Sequence, residues 1–253
     1  MKLTSFCSFA ALLLPASTKP IGTDSDYGLI GFAKDNLIGT TTGGSEGETI
    51  TVTTPSALAS AVKGDTPLTI HITGTFNLTS RLRIGSNKSL IGTGAGANIL
   101  HSGLTIINAS NVIVRNLGIR FVLGDDGITI QNSTRVWIDH NEFESDLEGG
   151  PDKYDGQCDI VKGSDWVTVS WNYFHDHWKS SLVGNSDASR EVDQGKLHIT
   201  YQYVDVVPRI SYPHSLFLYA YILTTSQPQP LAQRRYARPR RPLRPPTRLQ
   251  QSI

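Results

Sequence analysis

Cysteine, methionine and long apolar runs are what this sequence has least of. It carries two cysteines and one methionine in 253 residues. Cys7 falls in an N-terminal stretch that reads as a removable leader, so Cys158 stands alone and no intramolecular disulfide framework is available. Cys158 lies inside a strand-like apolar run, where core filler is the better reading than nucleophile. The apolar stretches at residues 6–14 and 216–223 are too short to cross a bilayer, so no membrane span is expected. Long helices are missing as well. One short segment, TPSALASAVKGD, has helical spacing, with Thr54 before Pro55 and Gly64 as a stop.

The ends differ from the body. MKLTSFCSFAALLLPASTKP has a lysine near its start, an apolar run and small residues around Ala16, the pattern of a secretory signal over residues 1–20. A secreted, extracellular protein is therefore expected. Asn77, Asn87, Asn108 and Asn132 head Asn-x-Ser/Thr triplets and are candidate glycan acceptors. Residues 203–253 contain eight arginines, no lysine and one acid, Asp205. The remainder, with 23 less 8 basic and 22 less 1 acidic side chains, has a balance of −6. The Pro/Arg/Gln-rich end has the composition of disorder. It reads as unrelated to what precedes it rather than as a nucleic-acid arm.

Between these ends runs a repeat. LTIHI, LIGTG, VIVRN, VWIDHN, VTVSWN and LHITYQ begin at Leu68, Leu90, Val112, Val136, Val167 and Leu197. Strand-and-turn units that recur at this spacing, with no helix between them, predict a solenoid in which each unit buries its apolar face on its neighbours. A parallel β-helix fits, and a leucine-rich horseshoe demands a denser leucine pattern. The repeat is expected to stop after Gln202. Asn141 and Asn172 share a place in successive units, with Asn116 close to it, which suggests stacked turn asparagines.

Candidate chemistry lies in GDDGITI and in YDGQCDIVKGSDWVTVSWNYFHDHWKSSLVGNSD. Positions one coil apart come side by side in a solenoid, so Asp126, Asp155 and Asp159 are expected to converge on one patch. Oxygen-only carboxylate ligands favour a hard cation such as Ca²⁺. Asp125 and Asp152 are near but are left out of the set. Lys179 would complement an anionic substrate as a point charge. His175 and His177, without a third matched ligand, read as structural rather than as a transition-metal site.

VWIDHNEF, the YDGQCDI…VGNSD run and GKLHITY resemble the core of fungal pectate lyases of polysaccharide lyase family 1, over about residues 31–201. The resemblance implies an all-β, right-handed parallel β-helix that lacks its last coils here, spanning residues 21–202. It also implies Ca²⁺-dependent β-elimination of de-esterified homogalacturonan. It places calcium ligands on Asp126, Asp155 and Asp159 and substrate binding on Lys179. The implied partner is polygalacturonate or pectin, bound by a monomer with no nucleic acid and no membrane.

One departure stands out. The family's base is an arginine in a segment resembling NSRTPSIRFG beyond the GKLH motif. Here the count reaches Tyr212, and Arg209 in VVPRIS is the nearest arginine, in unmatched surroundings. The expectation is a chain inactive or nearly so. The alternatives are a non-catalytic, calcium-dependent uronate-binding protein, or a related pectin lyase or polygalacturonase.

Overall fold

A computed structural model describes residues 28–94, 96–202 and 204–207. The predicted leader, Cys7 and Arg209 lie outside them. So does most of the 203–253 segment, including all of a second unit at Thr224–Ile253.

Three parallel sheets wrap one core. The largest has the order β1 (Glu48–Val52), β2 (Leu68–Ile72), β5 (Lys88–Gly92), β8 (Ser110–Arg115), β11 (Thr134–Asp139), β14 (Asp165–Ser170), β16 (Ile199–Gln202). A second stacks β4 (Leu82–Arg83), β7 (Leu104–Ile107), β10 (Ile128–Gln131) and β13 (Cys158–Val161). The third stacks β3 (Thr75–Asn77), β6 (Asn98–Leu100), β9 (Gly118–Arg120), β12 (Glu142–Glu144), β15 (Tyr173–His175) and β17 (Asp205–Val207). This is the right-handed parallel β-helix expected from the sequence. Alternation along each strand sends every second residue inward. Ile70, Leu90, Val114, Ile106, Ile130 and Ile160 are fully buried in that core. Phe143 and Phe174 stack at 4.5 Å between ring centroids.

Three details differ from the sequence expectation. Leu68 pairs in register with Lys88, and Val167 with Ile199; Leu90 and Leu197 therefore each sit two residues from the matched position. A two-residue shift keeps a side chain on the same sheet face, so the apolar pattern could not reveal it. Asn116 does not join the asparagine stack. Asn141 Nδ2 donates to Asn172 Oδ1 at 3.0 Å, whereas the matching place one coil earlier is Leu117, whose N–H donates to Asn141 Oδ1 at 3.1 Å. Asn116 instead turns the chain at φ 58°. Strand pairing also continues past Gln202, because β17 pairs with β15.

The expected helix is present as α1 (Pro55–Ala61), with the Thr54 hydroxyl accepting from the Ala57 N–H at 3.2 Å. A second, four-residue helix, α2 (Arg190–Asp193), was not legible in the sequence. Residues 30–44 lie along the outside of the largest sheet. Phe32 N–H donates to Thr200 Oγ1, Ala33 N–H to Thr168 Oγ1, and Thr42 and Gly43 N–H to Asn111 Oδ1. Gly31 approaches Thr200 too closely for any Cβ. One segment thus ties early coils to late ones.

Candidate metal and polyanion site

The outer face of the four-stranded sheet carries the sequence-predicted site. Asp159 is the second residue of β13 and pairs with Thr129 of β10, which pairs with Thr105 of β7, which pairs with Arg83 of β4. Cys158 and Ile160 take the inward positions, which turns Asp159 outward, away from the core. Asp126 enters from the turn before β10, and its Oδ1 accepts the Gly156 N–H of the next coil at 2.9 Å. Its Oδ2 accepts from Thr129 Oγ1 at 2.7 Å. Asp159 Oδ1 accepts the Leu182 N–H at 3.0 Å. A Cβ at Gly156 would overlap the Asp159 carboxylate and displace it.

Lys179 comes from the coil after Asp155 and Asp159. Its carbonyl receives the Gln157 N–H, and its Nζ lies 3.0 Å from Asp155 Oδ1. All four predicted side chains therefore meet on one flank, drawn from three successive coils. They are not alike in exposure. Asp126 and Asp159 are 8% and 7% exposed, while the Asp155 side chain is 61% exposed.

The electrostatics follow from that burial. Desolvation first, then the neighbouring Asp126, push the Asp159 carboxyl up to about 8; Asp155 adds to the rise and Lys179 opposes it. Burial also raises Asp126, against the hydrogen bonds from Thr129 and Gly156. Asp126 and Asp159, buried and repelling each other, resist ionising together, and a cation between them would relieve that. A hard, oxygen-seeking divalent ion fits such a donor set.

Among the described residues, the acidic group whose donor atoms all approach within 4.8 Å is a different one: Glu142, Glu144 and His175 on the third sheet. There the Arg120 guanidinium bonds both glutamates. His175 Nε2 lies 3.1 Å from Glu142 and its Nδ1 2.8 Å from Asp176, so the third ligand that the sequence did not offer His175 is supplied here by the third sheet. The donor atoms of Asp126, Asp155 and Asp159 do not all come that close, and Asp155 is paired with Lys179.

Several supporting residues carried no sequence signal. Arg81 spends its guanidinium on the site's underside, donating to Thr105 Oγ1, Thr129 Oγ1, and the carbonyls of Leu104 and Asp126, and pairing with Asp125 at 3.0 Å. Asp146 accepts from Lys153 Nζ at 2.9 Å and from Tyr154 OH at 2.6 Å, which braces the loop that ends at Asp155. His177 Nδ1 accepts the Lys179 N–H at 2.7 Å and fixes the lysine turn. Cys158 is fully buried, with its thiol pushed well up by burial, as filler should be. The WIDH segment does not reach this flank. Asp139, on the largest sheet, is buried among Ser170 Oγ, His140 Nδ1 and Arg115 Nε, and Trp137 Nε1 donates to that same serine.

Residues 2–213 match the family model described as pectate lyase. The chain belongs to the pectate lyase family. It is 46% identical over 174 residues to "Probable pectate lyase B" of Aspergillus terreus, covering 68% of this chain and 53% of that one. It is 41% identical over 211 residues to a protein of the same description from Aspergillus flavus, covering 79% of this chain and 64% of that one. Among solved structures, pectate lyase Bsp165PelA from Bacillus sp. N165, in complex with trigalacturonate, superposes with a TM-score of 0.62 at 32% identity, over 72% of this chain and 63% of that one. The chain thus spans less than two thirds of the length of these pectate lyases.

Proposed function

We infer that this chain is a secreted, Ca²⁺-dependent member of the pectate lyase family that grips de-esterified homogalacturonan on the outer face of β13 and β10. The observation that carries the reading is the juxtaposition of Asp126, Asp155, Asp159 and Lys179 from three coils, two of the carboxylates being buried. In this reading Asp126, Asp155 and Asp159 hold the ion, and Lys179 binds a uronate carboxylate. Bound calcium would supply a Lewis acid that eases charge accumulation at the uronate carboxylate during β-elimination. Arg81 holds the Asp126 carbonyl and Thr129 in place beneath it. The Asp146–Tyr154–Lys153 cluster fixes the approach of Asp155.

Proton abstraction needs a base within hydrogen-bond reach of the sugar. No residue is assigned that role; Arg209, the sole sequence candidate, lies outside the described residues. Because the sequence beyond GKLH does not match the family's arginine segment, turnover is expected to be absent or very slow, with binding retained. The test is incubation of the secreted protein with polygalacturonate and Ca²⁺, followed at the absorbance of unsaturated products, alongside calorimetry with oligogalacturonate. Calcium-dependent binding with little product is the expected result. Strong, EDTA-sensitive product formation overturns the inactivity, and failure to bind oligogalacturonate with calcium overturns the site. Glycans on Asn77, Asn87, Asn108 or Asn132 belong to the same secreted reading and would appear as a mass shift removed by glycosidase.

A further inference from the structure

The cluster on the third sheet lies apart from the aspartate flank. Arg120, Glu144 and His175 occupy matched positions on β9, β12 and β15, and Glu142 shares the outer face of β12 two residues before Glu144. Glu142, Glu144 and His175 each offer one donor atom, and these three atoms lie within 4.8 Å of one another. His175 Nε2 and Glu142 Oε1 are already 3.1 Å apart. Two ligands of a tetrahedral metal, bound at about 2.0–2.2 Å, stand about 3.3–3.6 Å from each other. Rotation of the Glu144 side chain, which is partly exposed, closes the remaining gap without moving a strand.

The surroundings suit an ion as well. The His175 side chain is 9% exposed, and Tyr173 stacks on its ring at 4.4 Å between centroids, which fixes the ring plane. Asp176 Oδ2 lies 2.8 Å from His175 Nδ1. With the imidazole proton held there by Asp176, the Nε2 lone pair faces the glutamates, as in carboxylate–histidine–metal arrangements. Arg120 bonds Oε2 of both glutamates and is itself anchored on Asn98 Oδ1 at 3.2 Å, which leaves Oε1 of each glutamate for an ion. Three carboxylates, Glu142, Glu144 and Asp176, against the one guanidinium of Arg120 leave these side chains at −2 when His175 is neutral, the complement of one divalent cation.

We propose that Glu142, Glu144 and His175 form a second metal site, selective for a borderline divalent ion of the Zn²⁺ class over Ca²⁺, with Asp176 as the positioning residue for the imidazole. One imidazole nitrogen beside two carboxylate oxygens suits such an ion, whereas Ca²⁺ takes about six to eight oxygens. The ion staples β12 to β15, and Arg120 carries the link on to β9. Gln157 Nε2 donates to the carbonyls of Phe143 and His175 at 3.0 and 3.1 Å, so the stapled strands also brace the turn that leads into Asp159. The role is structural, and it stands or falls independently of the calcium–uronate reading.

The full chain, stripped with EDTA and dialysed into saturating Ca²⁺, is titrated with Zn²⁺ by calorimetry near neutral pH. One equivalent should bind and raise the melting temperature, and Co²⁺ in its place should give the visible absorption of a nitrogen- and oxygen-ligated ion. His175→Gln and Glu144→Gln should each weaken Zn²⁺ binding by about tenfold or more, and Asp176→Asn by about ten- to a hundredfold. Circular dichroism checks folding, and Glu144→Gln, at a partly exposed side chain, serves on its own if His175→Gln is unfolded. Absence of Zn²⁺ uptake overturns the proposal. So does uptake that is unchanged in the folded variants, which would mark adventitious binding at other histidines. Displacement of Zn²⁺ by a modest excess of Ca²⁺ overturns the assigned selectivity.

Discussion

The Lys179 ammonium and the Asp155 carboxylate, 24 residues apart, stand 3.0 Å from each other across consecutive coils. The pair is partly solvated, so the bond itself is weak. Its significance is competitive: the lysine holds a carboxylate that the proposed calcium site also needs.

Lys179→Met therefore has effects of opposite sign. Calcium affinity without uronate should rise roughly two- to fivefold, since Asp155 is released and a nearby positive charge is gone. Uronate affinity in saturating calcium should fall by about tenfold, the value of one charge-assisted contact. Calorimetric titration of the ion and of trigalacturonate separates the two. A fall in both affinities would show that Lys179 supports the ion site instead.

Asp159→Asn removes one of two buried, mutually repelling carboxylates while keeping an acceptor for the Leu182 N–H. In EDTA its melting temperature should equal or exceed that of the unsubstituted protein, because an acid that must take up a proton to be buried has been removed. In calcium the ordering should reverse, with most of the ion-induced stabilisation lost. Melting curves with and without the ion check this, and an Asn variant that keeps its full calcium shift would remove Asp159 from the ligand set.

Acid should loosen the lysine turn through His177. Burial first, then the Lys179 charge, push this imidazole down to about 4 from 6.5, with Asp155 opposing. The unfolded chain takes up its proton near pH 6.5 and the folded chain near 4, so between those values the unfolded state binds more protons. Stability is full above pH 6.5 and falls, by up to about 3 kcal/mol, as pH drops toward 4. His177→Asn, whose side-chain oxygen can accept the Lys179 N–H, should flatten this part of the stability–pH curve. Chemical denaturation from pH 7 to 4 measures it, and an unchanged slope would assign the acid lability elsewhere.

The asparagine stack should be worth its hydrogen bonds. Asn172 Oδ1 accepts both the N–H and the side-chain amide of Asn141, and its own amide donates to Ile138 and Ser170 carbonyls. Asn172→Leu strands those buried groups, at a cost of about 1–3 kcal/mol. A melting temperature several degrees lower is expected, and an unchanged one would show that the turn re-satisfies itself.

Much of this protein was fixed by local sequence. The period of apolar strands set the solenoid, because a parallel coil needs only alternation and a turn, both visible in a single unit such as VTVSWN. Thr54, Pro55 and Gly64 bracketed α1 for equally local reasons. The aspartates could be picked out because YDGQCDI and GDDGITI place acids in a turn and in the strand it leads into, where stacking brings whole coils together.

Tertiary structure decided what alternation leaves open. Register at Leu90 and Leu197 was ambiguous by two residues, since such a shift preserves the buried face. Arg81 and Arg83 look like ordinary turn and strand arginines; only strand pairing puts Arg83 in line with Thr105, Thr129 and Asp159. Lys88 reads as a surface lysine in SNKSL, yet it is buried because three loop carbonyls converge on it. Periodicity reports which side of a strand a residue faces. What stands opposite it depends on contacts between residues far apart in the chain, and those exist only once the coils have stacked.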